Sequence, residues 1–212
     1  GADYLEPGVL LYGGRGAVVV GEAFGPADSR LSARALRIRD QWRDFDERAT
    51  ATANIWGYLW AKEAYGAMLF ATALINDSIA DGLARPAYRG LYLALAREIL
   101  AVALARGVAF DGFDPAAYLP DAPSGAAEQS LDHLIAHNRK SAKTHSGIWR
   151  DLAVRKRPTE VDAQLGIVVR LGADVGVPTP LTARVVELIH EIERGERAQS
   201  MAALGALAGV IT

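Results

Sequence analysis

The sequence predicts a mainly α-helical protein with a short β-hairpin ahead of the helices, and three observations carry that prediction. Residues 54–76, "NIWGYLWAKEAYGAMLFATALIN", form an apolar run much longer than a strand and contain no proline. From about Ser29 onward, segment after segment places apolar residues at helical spacing, with no internal repeat. Residues 1–25 alone look different, with two short apolar runs, Val9 to Tyr12 and Ala17 to Gly21, on either side of a glycine-rich stretch.

That stretch, "GGRG", reads as the turn of a hairpin joining the two runs. A dinucleotide-binding loop would require a helix after its glycines, and here Gly14 and Gly16 precede a strand. Next comes "SRLSARALRIRDQWRDF", an amphipathic helix with Leu31, Leu36, Ile38 and Trp42 available for burial, and then a short extended piece, "ATATAN". Asn54 is placed to cap the long apolar helix. Further helices are expected at about 86–107, ended by Gly107, and at about 125–140, 158–176 and 179–196, followed by a small-residue tail helix. A proline- and glycine-marked loop, "FDGFDPAAYLPDAPSG", separates the first two.

With 212 residues, half of them hydrophobic, and a net charge of -2, the chain is large enough for a generous core. The balanced charge argues against a general nucleic-acid binder. The absence of cysteine excludes a disulfide scaffold and thiolate chemistry. No signal peptide or lipidation pattern is evident, so the cytoplasm is the expected compartment. The uncharged part of the long helix after Glu63 is shorter than the roughly 18–20 residues that span a bilayer, so no membrane partner is expected.

The oddity lies inside that helix. A helix so apolar reads as buried nearly all round, yet Lys62 and Glu63 sit in its second turn. A charged lysine is disfavoured away from water, so Lys62 must reach solvent, pair with an acid or line a cleft. His133 and His137 stand four apart, as metal ligands can, but no third ligand is near in sequence, and solvent-facing histidines are the simpler reading. His190, in "ELIHEIE", sits on an acidic helix and suggests no special role. Residues 137–160, "HNRKSAKTHSGIWRDLAVRKRPTE", place seven lysines and arginines against a single acid, Asp151, before Glu160. They form either a solvated basic face or a patch for a carboxylate or phosphate. Glu160 follows "PT", where a helix start accounts for an acid.

Three stretches together, "NIWGYLWAKEAYGAMLFATAL", "KTHSGIWRDLAVRKRPTEVDAQLG" and "GVPTPLTARVVELI", resemble the C-terminal domain of the ketopantoate reductase family, the NADPH-dependent 2-dehydropantoate 2-reductases. "YLEPGVLLYGGRGAVVVGE" is similar to the closing strands of that family's N-terminal Rossmann domain. The resemblance implies an all-helical domain of the 6-phosphogluconate-dehydrogenase-like type over residues 51–212, with residues 1–50 the end of an incomplete dinucleotide-binding domain. It implies NADPH as cofactor, a small 2-oxo acid as substrate and a homodimer. By motif position Lys62 and Glu160 correspond to the catalytic lysine and glutamate, and Ser146, Asn54 and Gly66 to the substrate side. A lysine ammonium suits the alkoxide formed from a ketone, and burial would lower its pKa toward the working range. Two positions depart from the family, which places asparagines where this chain has Gly66 and Phe70. Their loss implies a wider, less polar pocket and leaves the substrate open between ketopantoate and a related 2-oxo acid. The fingerprint glycine loop does not occur in the sequence, so the chain alone is expected to be silent toward the cofactor. A helical dimerisation module without catalysis is the competing expectation.

Overall fold

A computed structural model of the chain describes residues 2–12, 16–24 and 30–211. The fold is mainly helical, in the order β1 (Ala2–Glu6), β2 (Val9–Tyr12), β3 (Val19–Val20), α1 (Ala33–Arg43), β4 (Thr50–Ala51), α2 (Ile55–Thr72), α3 (Ile79–Ala84), α4 (Arg89–Ala105), α5 (Ala126–Arg139), α6 (Gly147–Arg150), α7 (Ile167–Asp174), α8 (Pro180–Glu193) and α9 (Met201–Ala208). Two stretches are wound as π-helix, Asp151–Arg155 after α6 and Asp162–Gly166 ahead of α7.

The hairpin lies one strand earlier than the sequence suggested. β1 pairs antiparallel with β2 in the register Ala2↔Tyr12 and Tyr4↔Leu10, with a bulge between Tyr4 and Glu6. The reversal is made by Pro7 and Gly8, the glycine at φ 81° in a region that side chains rarely adopt. β3 instead pairs in parallel with β4, Val19 with Thr50 and Val20 with Ala51, so α1 is a crossover between them. Residues 13–15 of "GGRG" lie outside the described residues. Helix α1 buries Ala35, half-buries Leu36 and Ile38 and leaves Trp42 exposed, while Leu31 lies exposed ahead of it, so the expected apolar face is only partly covered.

The core forms where α2 packs on α4. Met68, Phe70 and Leu74 join Tyr92, Leu95 and Ile99 in one buried cluster, which α8 closes with Leu181, Val185, Leu188 and Ile189, and α9 with Leu204 and Leu207. Glu98 on α4 fixes α8 by accepting hydrogen bonds from the backbone N–H groups of Leu181 (2.9 Å) and Thr182 (2.8 Å) and from the Thr182 hydroxyl (2.7 Å). These N–H groups are among those a helix leaves unsatisfied at its start. No helix among the described residues is long and apolar enough to cross a membrane.

Candidate active site

Helix α2 is held at its N-terminus by Asn54. Its Oδ1 accepts from the Gly57 N–H (3.1 Å), and its Nδ2 donates to the Ala109 carbonyl (2.8 Å). The fit requires glycine at 57, since a Cβ there would lie 2.3 Å from Asn54 Nδ2 and 2.5 Å from the Ala109 oxygen. The Trp56 indole donates to the Ala23 carbonyl (2.9 Å), tying the same turn to the segment after β3.

The two halves of α2 differ. From Ala67 to Ile75 every residue but Leu69 is buried, whereas Trp56, Leu59 and Lys62 are exposed on the first half. The expectation of a helix buried all round therefore holds only for its second half. The exposed stripe forms one wall of a cleft of about 250 Å³, with Trp56, Leu59, Trp60, Lys62 and Glu63 on one side and Ala163, Gln164, Ile167, Val168 and Leu171 on the other. The spacing 163, 164, 167, 168, 171 is one helical face, so the second wall is the helix running from Val161 through α7.

Lys62 lies in this cleft, exposed, and forms no hydrogen bond or ion pair with another described residue. Its expected burial is absent, and the side chain reaches solvent. Desolvation falls on its neighbour instead: burial raises the pKa of the Glu63 carboxyl, and the Lys62 charge only partly opposes it. Glu63 Oε1 is shut off from solvent without a hydrogen-bond partner.

Glu160 is exposed at the start of the second wall, and its Oε2 accepts from Nε2 of the cleft residue Gln164 (3.1 Å). Its turn is held from both ends by α8. Glu193 Oε1 accepts from the backbone N–H (2.6 Å) and the hydroxyl (2.8 Å) of Thr159. His190 bridges Glu193 Oε2 through Nδ1 (2.8 Å) and Asp162 Oδ1 through Nε2 (3.1 Å). Burial works against a charged His190, but the bonds to Glu193 and Asp162 outweigh it and raise its pKa. This role could not be read from spacing, because Asp162 and His190 meet only in the fold. Gln164, four residues after Glu160 on a helix, was the one signal within reach of spacing alone.

The other candidates lie elsewhere. Asn54 is committed to the helix cap, and Ser146 is buried as the N-cap of α6, accepting from the Trp149 N–H (3.1 Å). Neither lines the cleft. Gly66 lies one turn beyond Glu63, where an added Cβ would sit 3.7–3.8 Å from its carboxyl group. Phe70 is fully buried in the core and leaves the cleft unaffected. His133 and His137 are exposed, and among the described residues no three His, Cys, Asp or Glu side chains are grouped to hold a metal ion. A larger cavity of about 490 Å³ is lined in part by Lys156, Arg157, Glu193 and Arg197. Its guanidinium groups are already committed, Arg157 to Asp151 (2.8 Å) and Arg197 to Glu191. The basic segment thus partly neutralises itself around Asp151: burial opposes that charge, but Arg157 and Arg155 hold the carboxyl below its usual range.

A dinucleotide needs backbone N–H groups at a glycine-rich turn from strand to helix to cradle its pyrophosphate. The described residues include no such turn, and Gly16 leads into β3.

A 2-dehydropantoate 2-reductase of Archaeoglobus fulgidus is 26% identical over 196 residues, covering 92% of this chain and 59% of its own. One from Vibrio cholerae is 26% identical over 170 residues, covering 80% and 52% respectively. The chain thus spans between half and three-fifths of the length of these curated relatives. A D-mandelate dehydrogenase solved in complex with NADH superposes with a TM-score of 0.73 at 20% identity, over 92% of this chain and 60% of that one, which is a likeness of fold. The profile described as the ketopantoate reductase PanE/ApbA C terminal matches residues 54–193. That match takes in α2, both walls of the cleft and α8, which is more than half of the sequence, and the chain belongs to the ketopantoate reductase family as its C-terminal domain.

Proposed function

We propose that this chain forms the substrate side of an NADPH-dependent reductase of 2-oxo acids, ketopantoate or a related compound, with Lys62 as proton donor and Glu160 as the group that holds a substrate hydroxyl. One observation carries the reading: an unpaired lysine in an otherwise largely apolar cleft, facing a wall whose Gln164 is hydrogen-bonded to Glu160. Reduction of a ketone turns its oxygen into an alkoxide. An ammonium group placed beside that oxygen stabilises the growing charge by hydrogen bonding and then supplies the proton. In this reading NADPH is held by a dinucleotide-binding domain that the described residues do not include, and residues 1–50 belong to the end of that domain.

The test is kinetic and is made in a polypeptide that joins these residues to a dinucleotide-binding domain. Lys62→Ala lowers kcat on the order of 100-fold with little change in melting temperature, because the group acts on charge present only in the transition state. A shifted melting temperature with unchanged kinetics sinks the assignment. A second reading, a helical interaction module, is favoured by the exposed Tyr4, Leu5, Leu10 and Tyr12 of the hairpin. It predicts self-association of the chain in sedimentation and no response to 2-oxo acids.

A further inference from the structure

Glu63 sits at the edge of an apolar cleft with one carboxyl oxygen that touches neither water nor a donor. The surface beside it supplies nothing, since the carboxyl lies along the bare backbone of Gly66. An ionised carboxylate in this position loses hydration and gains no hydrogen bond in return, which is costly, and protonation removes that cost. Burial accordingly pushes its pKa up. The charged groups facing it are few. Lys62 stands on its own helix, and the opposite wall offers Gln164, hydrogen-bonded to Glu160, among the apolar Ala163, Ile167, Val168 and Leu171. A 2-oxo acid brings a further negative charge into this space. Two carboxylates in one site repel unless a proton is shared, whereas a neutral acid donates a short hydrogen bond to an anion.

We propose that Glu63 is a substrate-recognition residue acting as a neutral carboxylic acid, the O–H on Oε2, the oxygen that is not enclosed, donating to the carboxylate of the 2-oxo acid while Lys62 takes the ketone oxygen. Binding therefore takes up a proton from solvent wherever free Glu63 is ionised. The inference rests on reading the cleft as a 2-oxo acid site. It explains why an acid sits beside the lysine in a site for anions.

The probe is phenylglyoxylate, titrated into the 212-residue chain between about pH 5 and pH 9. Binding is followed through Trp56 and Trp60, which line the cleft, and by calorimetry in two buffers of different ionisation enthalpy. The expected result is net proton uptake, with affinity falling by up to about tenfold per pH unit above the pKa of free Glu63. The uncharged methyl ester shows no such fall. Glu63→Gln, which keeps a donor and cannot ionise, abolishes the uptake and the pH dependence. Glu63→Leu, which keeps neither property, weakens binding about tenfold at low pH. Binding by the parent chain without proton uptake, or a Glu63→Gln variant that retains the pH dependence, overturns the proposal and leaves the 2-oxo acid reading standing. Absence of phenylglyoxylate binding at every pH overturns both.

Discussion

The first and second halves of helix α2 have similar apolar composition and opposite fates. Met68, Phe70, Ala71 and Leu74 are at most 1% exposed, whereas Trp56, Leu59 and Lys62 stand open to the cleft. Both charged residues of the helix, Lys62 and Glu63, fall in the first half, but the apolar Trp56 and Leu59 are open there too, so composition is not the whole difference. The rest comes from what lies opposite: the helix ending in α7 stands away from the first half and leaves a cleft. An apolar surface that the fold leaves uncovered, with one unpaired cation in it, is the ground on which a site is proposed there.

The comparison breaks first under truncation of its apolar residues. Phe70→Ala should cost about 3–5 kcal/mol of stability in a denaturant titration, as expected for a large side chain removed from a packed core. Leu59→Ala, on the open half, should stay within about 1 kcal/mol. Equal losses would mean that the cleft is packed shut in solution.

A smaller effect sharpens the view of the opposite wall. His190 joins Asp162 to Glu193, and its folded pKa is raised above the ordinary imidazole value near 6.5. Its contribution to stability is therefore full below that value and is lost as pH rises through the folded pKa. The gap in melting temperature between the parent chain and His190→Gln should be widest at about pH 6 and should narrow on the alkaline side. A gap that is constant with pH, or that widens as pH rises, removes the imidazolium from the staple.

The smallest effect lies at the junction of the two halves. Gly66→Ala should stabilise the helix by about 0.5–1 kcal/mol, because alanine is the better helix former and its methyl group meets Glu63 at ordinary contact distance. Destabilisation would show that the Glu63 carboxyl needs the space.

Much of the helical body was legible in the sequence because long helices carry their period and their stops. Gly107, Gly176 and Gly195 each take a positive φ where the pattern ends. The short helices α3 and α6 were missed, since four to six residues show no period, although Ser78 and Ser146 cap them from the expected side. The hairpin was misplaced because "GGRG" outweighed Pro7-Gly8, an equally good turn signal. Within the site, Lys62 stood out as an oddity of composition. The role of His190 could not be read, because its partner Asp162 is 28 residues away in the chain.

The π-wound stretch Asp162–Gly166 has an evolutionary consequence. Such a stretch accommodates one residue more than an α-helix of the same rise, in effect an insertion absorbed without ending the helix. Loss of a single residue there would leave the helix continuous and the core side free to readjust, yet would turn Glu160 and Gln164 by about 100° relative to Ile167, Val168 and Leu171. Length variation at this point offers a lineage a way to reshape one wall of the cleft in a single step while α2 and its lysine stay where they are.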